Sequence, residues 1–304
     1  MPRAEIFAYV NGKTVPAAKA TISIFDRGLV LGDGLFETLR TVEGHPQFLD
    51  LHYRRLKNSA HRLRLRLPIT ETKLRSIIQS LCRKSGLSDA AARITLTRGR
   101  YQGGLSIDPS VPPSLIITVA PVTMDPAIYT RGVKVAISGI NKAAASGLDS
   151  GIKSTNYLAN IFAKAEADRQ GCYEAILLGG HGEIAELSTA SFFCVIGGAV
   201  ITPPLETGIL PGITRQVLLR EIRRAGIPCR EHPIFPRDIV RMNEALLSSS
   251  VRGPVPISRI AGRKIGNGKV GPFFLQLQKI YAKACEKDAG TATVKKPVSH
   301  FHDA

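Results

Sequence analysis

Lys153 stands just after Gly151 and just before a run, Leu158, Ile161, Phe162 and Ala165, whose i, i+3, i+4, i+7 spacing predicts one packed face of a helix. A lysine at the entrance of such a helix can be held half-buried, where loss of water disfavours its charged form and frees the amine to attack a carbonyl carbon. The competing reading is that Lys153 is one of 41 lysines and arginines and is simply solvated. Its company bears on the choice. In Glu183-Ile184-Ala185-Glu186-Leu187-Ser188, strand alternation puts Glu186 on the face of Ile184, near Phe192-Phe193. A carboxylate there needs a cation, from protein or ligand, because a lone buried charge is costly. Gly212-Ile213-Thr214 opens a helix, which either offers N–H groups and a positive dipole end to an anion or is merely capped by Thr214. Ser248, Ser249 and Ser250 end a strand with hydroxyls for a second edge of the same anion. Arg98, at a strand end beside Gly99, either presents its planar fork to a carboxylate or lies on the surface.

The elements that must position these groups can be read in order. Asn11-Gly12 predicts a hairpin. Gly32-Asp33-Gly34 precedes a strand through Arg40; it reads either as a tight turn or as a substrate-facing loop, and it lacks the third glycine and helix of a dinucleotide fingerprint. Helices are predicted over 49–65 and 71–84, the second capped by Thr70 and stopped at Gly86. Strands follow at 91–98 and 115–119. Pro121 to Pro126 reads as a linker, after which strands at 133–137, 172–178, 183–188, 192–196, 199–202 and 245–250 alternate with helices. One helix follows Lys153 and ends at about Arg169. Another starts at Thr214 with Val217, Leu218 and Ile222 inward, and a closing one carries Phe273, Leu277, Ile280, Tyr281 and Ala284. Gly147 to Ser154 is not a P-loop, because Ile152 separates the glycine from the lysine.

Composition narrows the class. The 304 residues are 44% hydrophobic and 21% charged, enough for a substantial core in two domains. The net charge of +17 is scattered among acidic residues, with short basic clusters only at Arg62 to Arg66 and Lys295-Lys296 and no aromatic-rich strand beside them, which argues against a nucleic-acid module. The five cysteines are far apart and form neither a metal-binding nor a disulfide pattern. No run approaches the roughly 18 apolar residues of a membrane span, and Met1-Pro2-Arg3 does not open like a signal peptide, so a cytoplasmic protein is expected.

A single group carrying an aldehyde, a pyridine nitrogen and a phosphate would engage the lysine, the carboxylate and the anion-holding residues together; pyridoxal 5'-phosphate is such a group. From Tyr9 to about Ala284 the order of motifs resembles the class IV, fold-type IV pyridoxal-phosphate enzymes, which include D-amino-acid aminotransferases, branched-chain aminotransferases and aminodeoxychorismate lyases. The resemblance implies a mixed α/β (α+β) fold with a small N-terminal α/β domain and a large cofactor-binding domain with a barrel-like sheet, which the sequence boundaries place over 1–120 and 132–286; the proline-bounded stretch within 121–131 reads as a linker and the polar stretch over 287–304 as a disordered tail. It further implies a cofactor cleft between the domains, small carboxylate substrates and a homodimer, with no nucleic acid or membrane partner.

Residue by residue, the resemblance implies that Lys153, in Gly-Ile-Lys-Ser-Thr-Asn-Tyr-Leu, is the Schiff-base lysine and proton shuttle. Glu186 pairs with the pyridine nitrogen. Arg55, in His-Tyr-Arg-Arg-Leu, binds the phosphate, as do Ile213 and Thr214 with Ser250 beside them. Tyr157 lies near the phenolic oxygen, as in the branched-chain and lyase groups. Thr97-Arg98-Gly99 looks like the carboxylate-binding arginine of D-amino-acid aminotransferases, and the lyases carry a similar pair. Phe36 stands where those aminotransferases have a tyrosine, Thr38 where the lyases have a threonine, and Arg252 is a departure that either adds a carboxylate contact or points to solvent. The implied activity is amino-group transfer between an amino acid of D or branched-chain type and a 2-oxo acid. The alternative is aminodeoxychorismate lyase, releasing 4-aminobenzoate and pyruvate.

Overall fold

The structure, a computed structural model, describes residues 5–142 and 151–290. It divides into two compact units: Met1–Thr123 with Gly151–Tyr157, and Met124–Ser150 with Leu158–Ala304.

The first unit is built on strands β1 (Phe7–Val10), β2 (Lys13–Pro16), β3 (Gly34–Val42) and β4 (His45–Pro46), helices α1 (Leu49–Arg62) and α2 (Glu71–Lys84), and strands β5 (Ala90–Thr97) and β6 (Ser114–Pro121). All six strands pair antiparallel in the order β2-β1-β6-β5-β3-β4. The expected hairpin joins β1 to β2, with Asn11 and Gly12 both at positive φ (47° and 97°), the backbone that a two-residue turn of right-handed strands needs. Alternation along β3, β5 and β6 sends Leu35, Leu39, Ile94, Leu96, Leu115 and Ile117 to one face, where they pack with Leu56, Leu74, Ile78 and Leu81 of the helices. Phe36, Thr38, Arg93 and Thr95 therefore belong to the other face. Thr70 caps α2 by accepting from the Lys73 N–H, and Gly86, at φ 63°, follows its end.

The second unit contains β7 (Val133–Asn141), α3 (Leu158–Arg169), β8 (Glu174–Leu178), β9 (Ile184–Leu187), β10 (Ser191–Ile196), β11 (Ala199–Thr202), α4 (Ile213–Arg224), β12 (Cys229–Glu231), β13 (Glu244–Ser249), β14 (Gly253–Ile260), β15 (Arg263–Lys264) and α5 (Pro272–Asp288). The strand order is β12-β11-β10-β13-β14-β7-β8-β9, with β15 on β14. The far strand β9 is joined to β10, third in that order, by residues 188–190 alone, so the sheet curls on itself as the barrel-like reading requires. Glu244 caps α5 through the N–H groups of Phe273 and Phe274, and any Cβ on Gly271 would sit 2.2 Å from that carboxylate.

Three expectations change. The segment 121–131 is not all linker, since Ala127–Arg131 is a short helix that buries Tyr129. Lys287 and Asp288 belong to α5 rather than to a tail, and 291–304 lie outside the described residues, as does 143–150. The helix after Lys153 exists, but its large apolar residues face outward: Leu158, Ile161 and Phe162 are exposed, and Ala163 and Ala167 are buried against Ala136, Ala175 and Leu177. Small side chains let α3 approach the sheet closely, and that approach decides which stripe is the inner one.

Candidate active site

In the first unit Lys153 lies on an extended segment added to the open edge of β3. The Phe36 N–H donates to the Lys153 carbonyl (3.0 Å), the Thr155 N–H donates to the Gly34 carbonyl (2.9 Å), and Ser154 bridges Leu35 antiparallel. The glycines before β3 answer the question the sequence left open. Gly32, at φ 66°, would drive a Cβ to 2.2 Å from Asn156 Oδ1, and Gly34 would place one 3.0 Å from the Leu96 carbonyl and 3.3 Å from Thr155 Oγ1. They are glycines because the lysine segment approaches them. The Thr155 hydroxyl adds a bond to the Gly32 carbonyl at 2.6 Å.

This pairing puts Lys153 on the face of Phe36. Its Nζ lies 4.4 Å from the Phe36 ring centre and donates to the Tyr157 hydroxyl at 3.4 Å. The two rings meet edge to face at 5.1 Å. The amine is thus half-buried between aromatic rings, the setting expected of it. Arg93, directly opposite half-buried Thr38 in the β3–β5 register, stacks its guanidinium 3.9 Å over the other part of Phe36.

Arg55 is on the core face, not the Phe36 face. Its Nε and Nη2 donate to the two oxygens of Glu37, each at 2.7 Å, and His52 Nδ1 lies 2.6 Å from Glu37 Oε2. Burial alone would push the Glu37 carboxyl up; the Arg55 guanidinium and the His52 N–H outweigh it and hold the group at about 2. Burial pushes the His52 imidazole down, and Glu37 only partly opposes this.

Arg98 is not offered to a ligand. Its Nε and Nη2 grip Asp33 at 2.8 and 3.1 Å, and Nη1 and Nη2 donate to the carbonyls of Arg64 and Leu63. Arg27 shares the same carboxylate at 2.9 Å. Burial raises the Asp33 pKa, but the two arginines take it below the usual value. The fork expected to take a substrate's carboxylate is occupied by one from the chain itself.

In the second unit Glu186 is buried on β9, and the cation it requires is Lys142, whose Nζ donates to Oε1; the Leu210 N–H donates to Oε2 at 3.1 Å. Helix α4 begins with Gly212 as its cap and no side-chain cap bond, so Thr214 is not the capping residue. Thr214 Oγ1 and Ser248 Oγ are buried with no hydrogen-bond partner among the described residues. Ser248 pairs with Ser191 across β13 and β10, and a Cβ on Gly212 would come within 2.5 Å of the Ser191 hydroxyl. Orphaned hydroxyls and uncapped N–H groups at one helix start are donors in want of an anion, and a phosphate monoester fits them. Ile213 is buried at this start, and Ser250 follows β13 in a turn, half-buried. Arg252 does not point to solvent. It donates to Glu174 Oε1 at 3.3 Å, to Thr189 Oγ1 and to Ser249 Oγ at 3.1 Å.

Sequence reasoning missed the residues that hold others. Asp33, Lys142, Glu174 and the pair Glu37 and His52 were not singled out. Two of these left a signal: Glu37 has the strand parity of core residues Leu35 and Leu39, and His52 and Arg55 are three apart on one helix face.

A family model described as Amino-transferase class IV matches residues 34–260. A Methanocaldococcus jannaschii relative, whose name gives branched-chain-amino-acid aminotransferase as a provisional assignment, is 32% identical over 271 residues, covering 89% of this chain and 93% of its own length. A D-alanine aminotransferase of Staphylococcus haemolyticus is 29% identical over 91% of this chain and 97% of its own. Among solved structures, the branched-chain aminotransferase of Thermoproteus uzoniensis with norvaline is similar at a TM-score of 0.84, 27% identity and coverage of 95% of this chain and 96% of that one. Lys153 with its partner strand β3, Glu186 and the α4 start all fall inside the matched span, and the chain belongs to the class IV aminotransferase family of enzymes.

Proposed function

We propose that the protein is a pyridoxal-phosphate-dependent aminotransferase that moves an amino group between an amino acid, of the D or branched-chain type named for its relatives, and a 2-oxo acid. The observation that carries this is the amine of Lys153, pinned by its backbone to β3 and set between the rings of Phe36 and Tyr157. When bound, pyridoxal phosphate supplies an aldehyde for an amine and a ring that draws electron density from the reacting carbon. Lys153 Nζ provides that amine and afterwards carries the proton, oriented by the Tyr157 hydroxyl. Phe36 keeps water from the amine's other side. Glu186, steadied by Lys142 and the Leu210 N–H, holds a proton at a ring nitrogen. Arg55, the N–H groups of Ile213 and Thr214, and the hydroxyls of Thr214, Ser248 and Ser250 bind the phosphate. The lyase alternative loses a specific support, because Arg252 is engaged by Glu174 rather than offered to a dicarboxylate.

Added pyridoxal phosphate is expected to give the protein a visible absorption band that D-alanine or L-leucine bleaches. Protein that shows no band after the addition would sink the proposal. Glu186→Gln is expected to keep the cofactor and lose about 10²-fold or more in turnover; unchanged turnover would refute the role given to Glu186.

A homodimer is proposed as well. Ile24 (71%), Leu29 (63%) and Leu105 (78%) are exposed in the first unit, as is Leu158 (63%) in the second, and burial of such side chains against a second copy would take apolar surface out of water. Sedimentation should give twice the chain mass of 32.8 kDa, and a monomer at micromolar concentration would contradict this. A cytoplasmic location, which cell fractionation would check, accords with five cysteines that form no disulfide among the described residues. No helix of the described residues is long and apolar enough to cross a membrane.

A further inference from the structure

Glu37 is a charge in an apolar layer. It lies between Leu35 and Leu39 on the face of β3 that packs on the helices, and it is 1% exposed. The fold does not require a charge there, since replacing a buried ion pair by apolar residues of similar volume is often neutral or stabilising. Its contacts show what it does instead. Two parallel bonds of 2.7 Å to Nε and Nη2 fix the plane of the Arg55 guanidinium, and with it the direction of Nη1. His52, one turn earlier on the same face of α1, binds Glu37 Oε2 at 2.6 Å, so that oxygen is held by two donors and the carboxylate cannot turn. His52 Nε2 is itself buried with no hydrogen-bond partner among the described residues, so among them Glu37 is the hydrogen-bond partner that fixes the imidazole.

We propose that Glu37 is a positioning residue for the cofactor: it aims the Arg55 guanidinium at the phosphate, and His52 locks Glu37 in place. This rests on the aminotransferase reading above and adds to it a residue that touches neither substrate nor cofactor. Because the effect passes through Arg55, it is specific to the phosphate end of the ligand. A residue that merely supported the fold would affect any cofactor form alike.

The test titrates the protein with pyridoxal 5'-phosphate and, separately, with pyridoxal, which lacks the phosphate, following the visible band. Wild-type protein that binds neither compound would overturn the aminotransferase reading itself. With wild-type binding established, Glu37→Gln is expected to weaken pyridoxal phosphate by about tenfold or more, the size of a lost charged hydrogen bond, with pyridoxal affinity unchanged. In an Arg55→Gln background the same substitution should cost nothing further, because the residue it acts through is gone. Equal losses for the two ligands, no loss for either, or losses at 37 and 55 that multiply would each overturn the inference. If the Glu37→Gln chain does not fold, Glu37→Asp keeps the charge and shortens its reach. The same phosphate-selective weakening is then expected, and equal weakening of both ligands overturns the inference.

Discussion

Replacing Lys153 with alanine is expected to lower amino-group transfer by about 10⁴-fold or more while the chain still folds. The loss is large because one Nζ is asked both to bond the cofactor and to move the proton at the reacting carbon, and each role alone is worth several orders of magnitude. The fold should survive because the segment is held by its backbone: the Phe36 N–H to Lys153 carbonyl bond and the Thr155 N–H to Gly34 carbonyl bond make no use of the side chain. Tyr157 would lose the donor at its hydroxyl, which remains half-exposed and can turn to water. The measurement is the rate of 2-oxo acid formation from an amino donor in the wild type and the variant, with circular dichroism to verify the fold. A variant within tenfold of the wild type would remove Lys153 from the chemistry.

The second large effect concerns acid. Glu37 titrates at about 2 in the folded chain against an ordinary 4.5, so above 4.5 both folded and unfolded chains carry the charge and the Arg55 pairing contributes in full. As the pH falls from 4.5 toward 2 the unfolded chain takes up a proton that the folded chain refuses. The contribution, about 3 kcal/mol for a shift of this size, is lost across that window. His52 acts in the same direction and sooner: its folded value lies below 6.5, so the unfolded chain gains a proton first as the pH drops through that value. Urea unfolding of wild type and Glu37→Gln at a series of pH values should show the two curves converging between 4.5 and 2. Curves that stay parallel over that range would mean that Glu37 is not held ionised by Arg55.

What was legible in the sequence was local. Asn11-Gly12 specifies its own backbone, Thr70 and Gly86 bracket a helix, and Val217, Leu218 and Ile222 lie inward on α4 as their spacing demands. The helix after Lys153 was legible as a helix and misleading as a face, since periodicity marks stripes without saying which one the sheet accepts. There the alanines win because they permit close contact. Partners distant in sequence were out of reach. Arg98 was expected to offer its fork to a substrate's carboxylate, yet the carboxylate it grips is Asp33, 65 residues earlier, and no spacing rule connects them. Glu186 was expected to need a cation, yet Lys142 could not be told from the other basic residues before β8 set the end of β7 beside β9. The closing helix was placed correctly and buries Leu277, Tyr281 and Ala284 as expected, but Phe274 rather than Phe273 is buried at its start and Ile280 is only half-buried.

The attachment of residues 153–155 along β3 has a second consequence, for solubility rather than chemistry. β4 covers only the Thr41 and Val42 end of that strand, and without the lysine segment the Gly34 to Phe36 end would present bare amide and carbonyl groups. Such a border invites another molecule to extend the sheet, the usual first step toward intermolecular aggregation. The chain therefore seals its most vulnerable border with the very residues it most needs to keep in register, so a lesion that loosens them threatens colloidal stability as well as turnover.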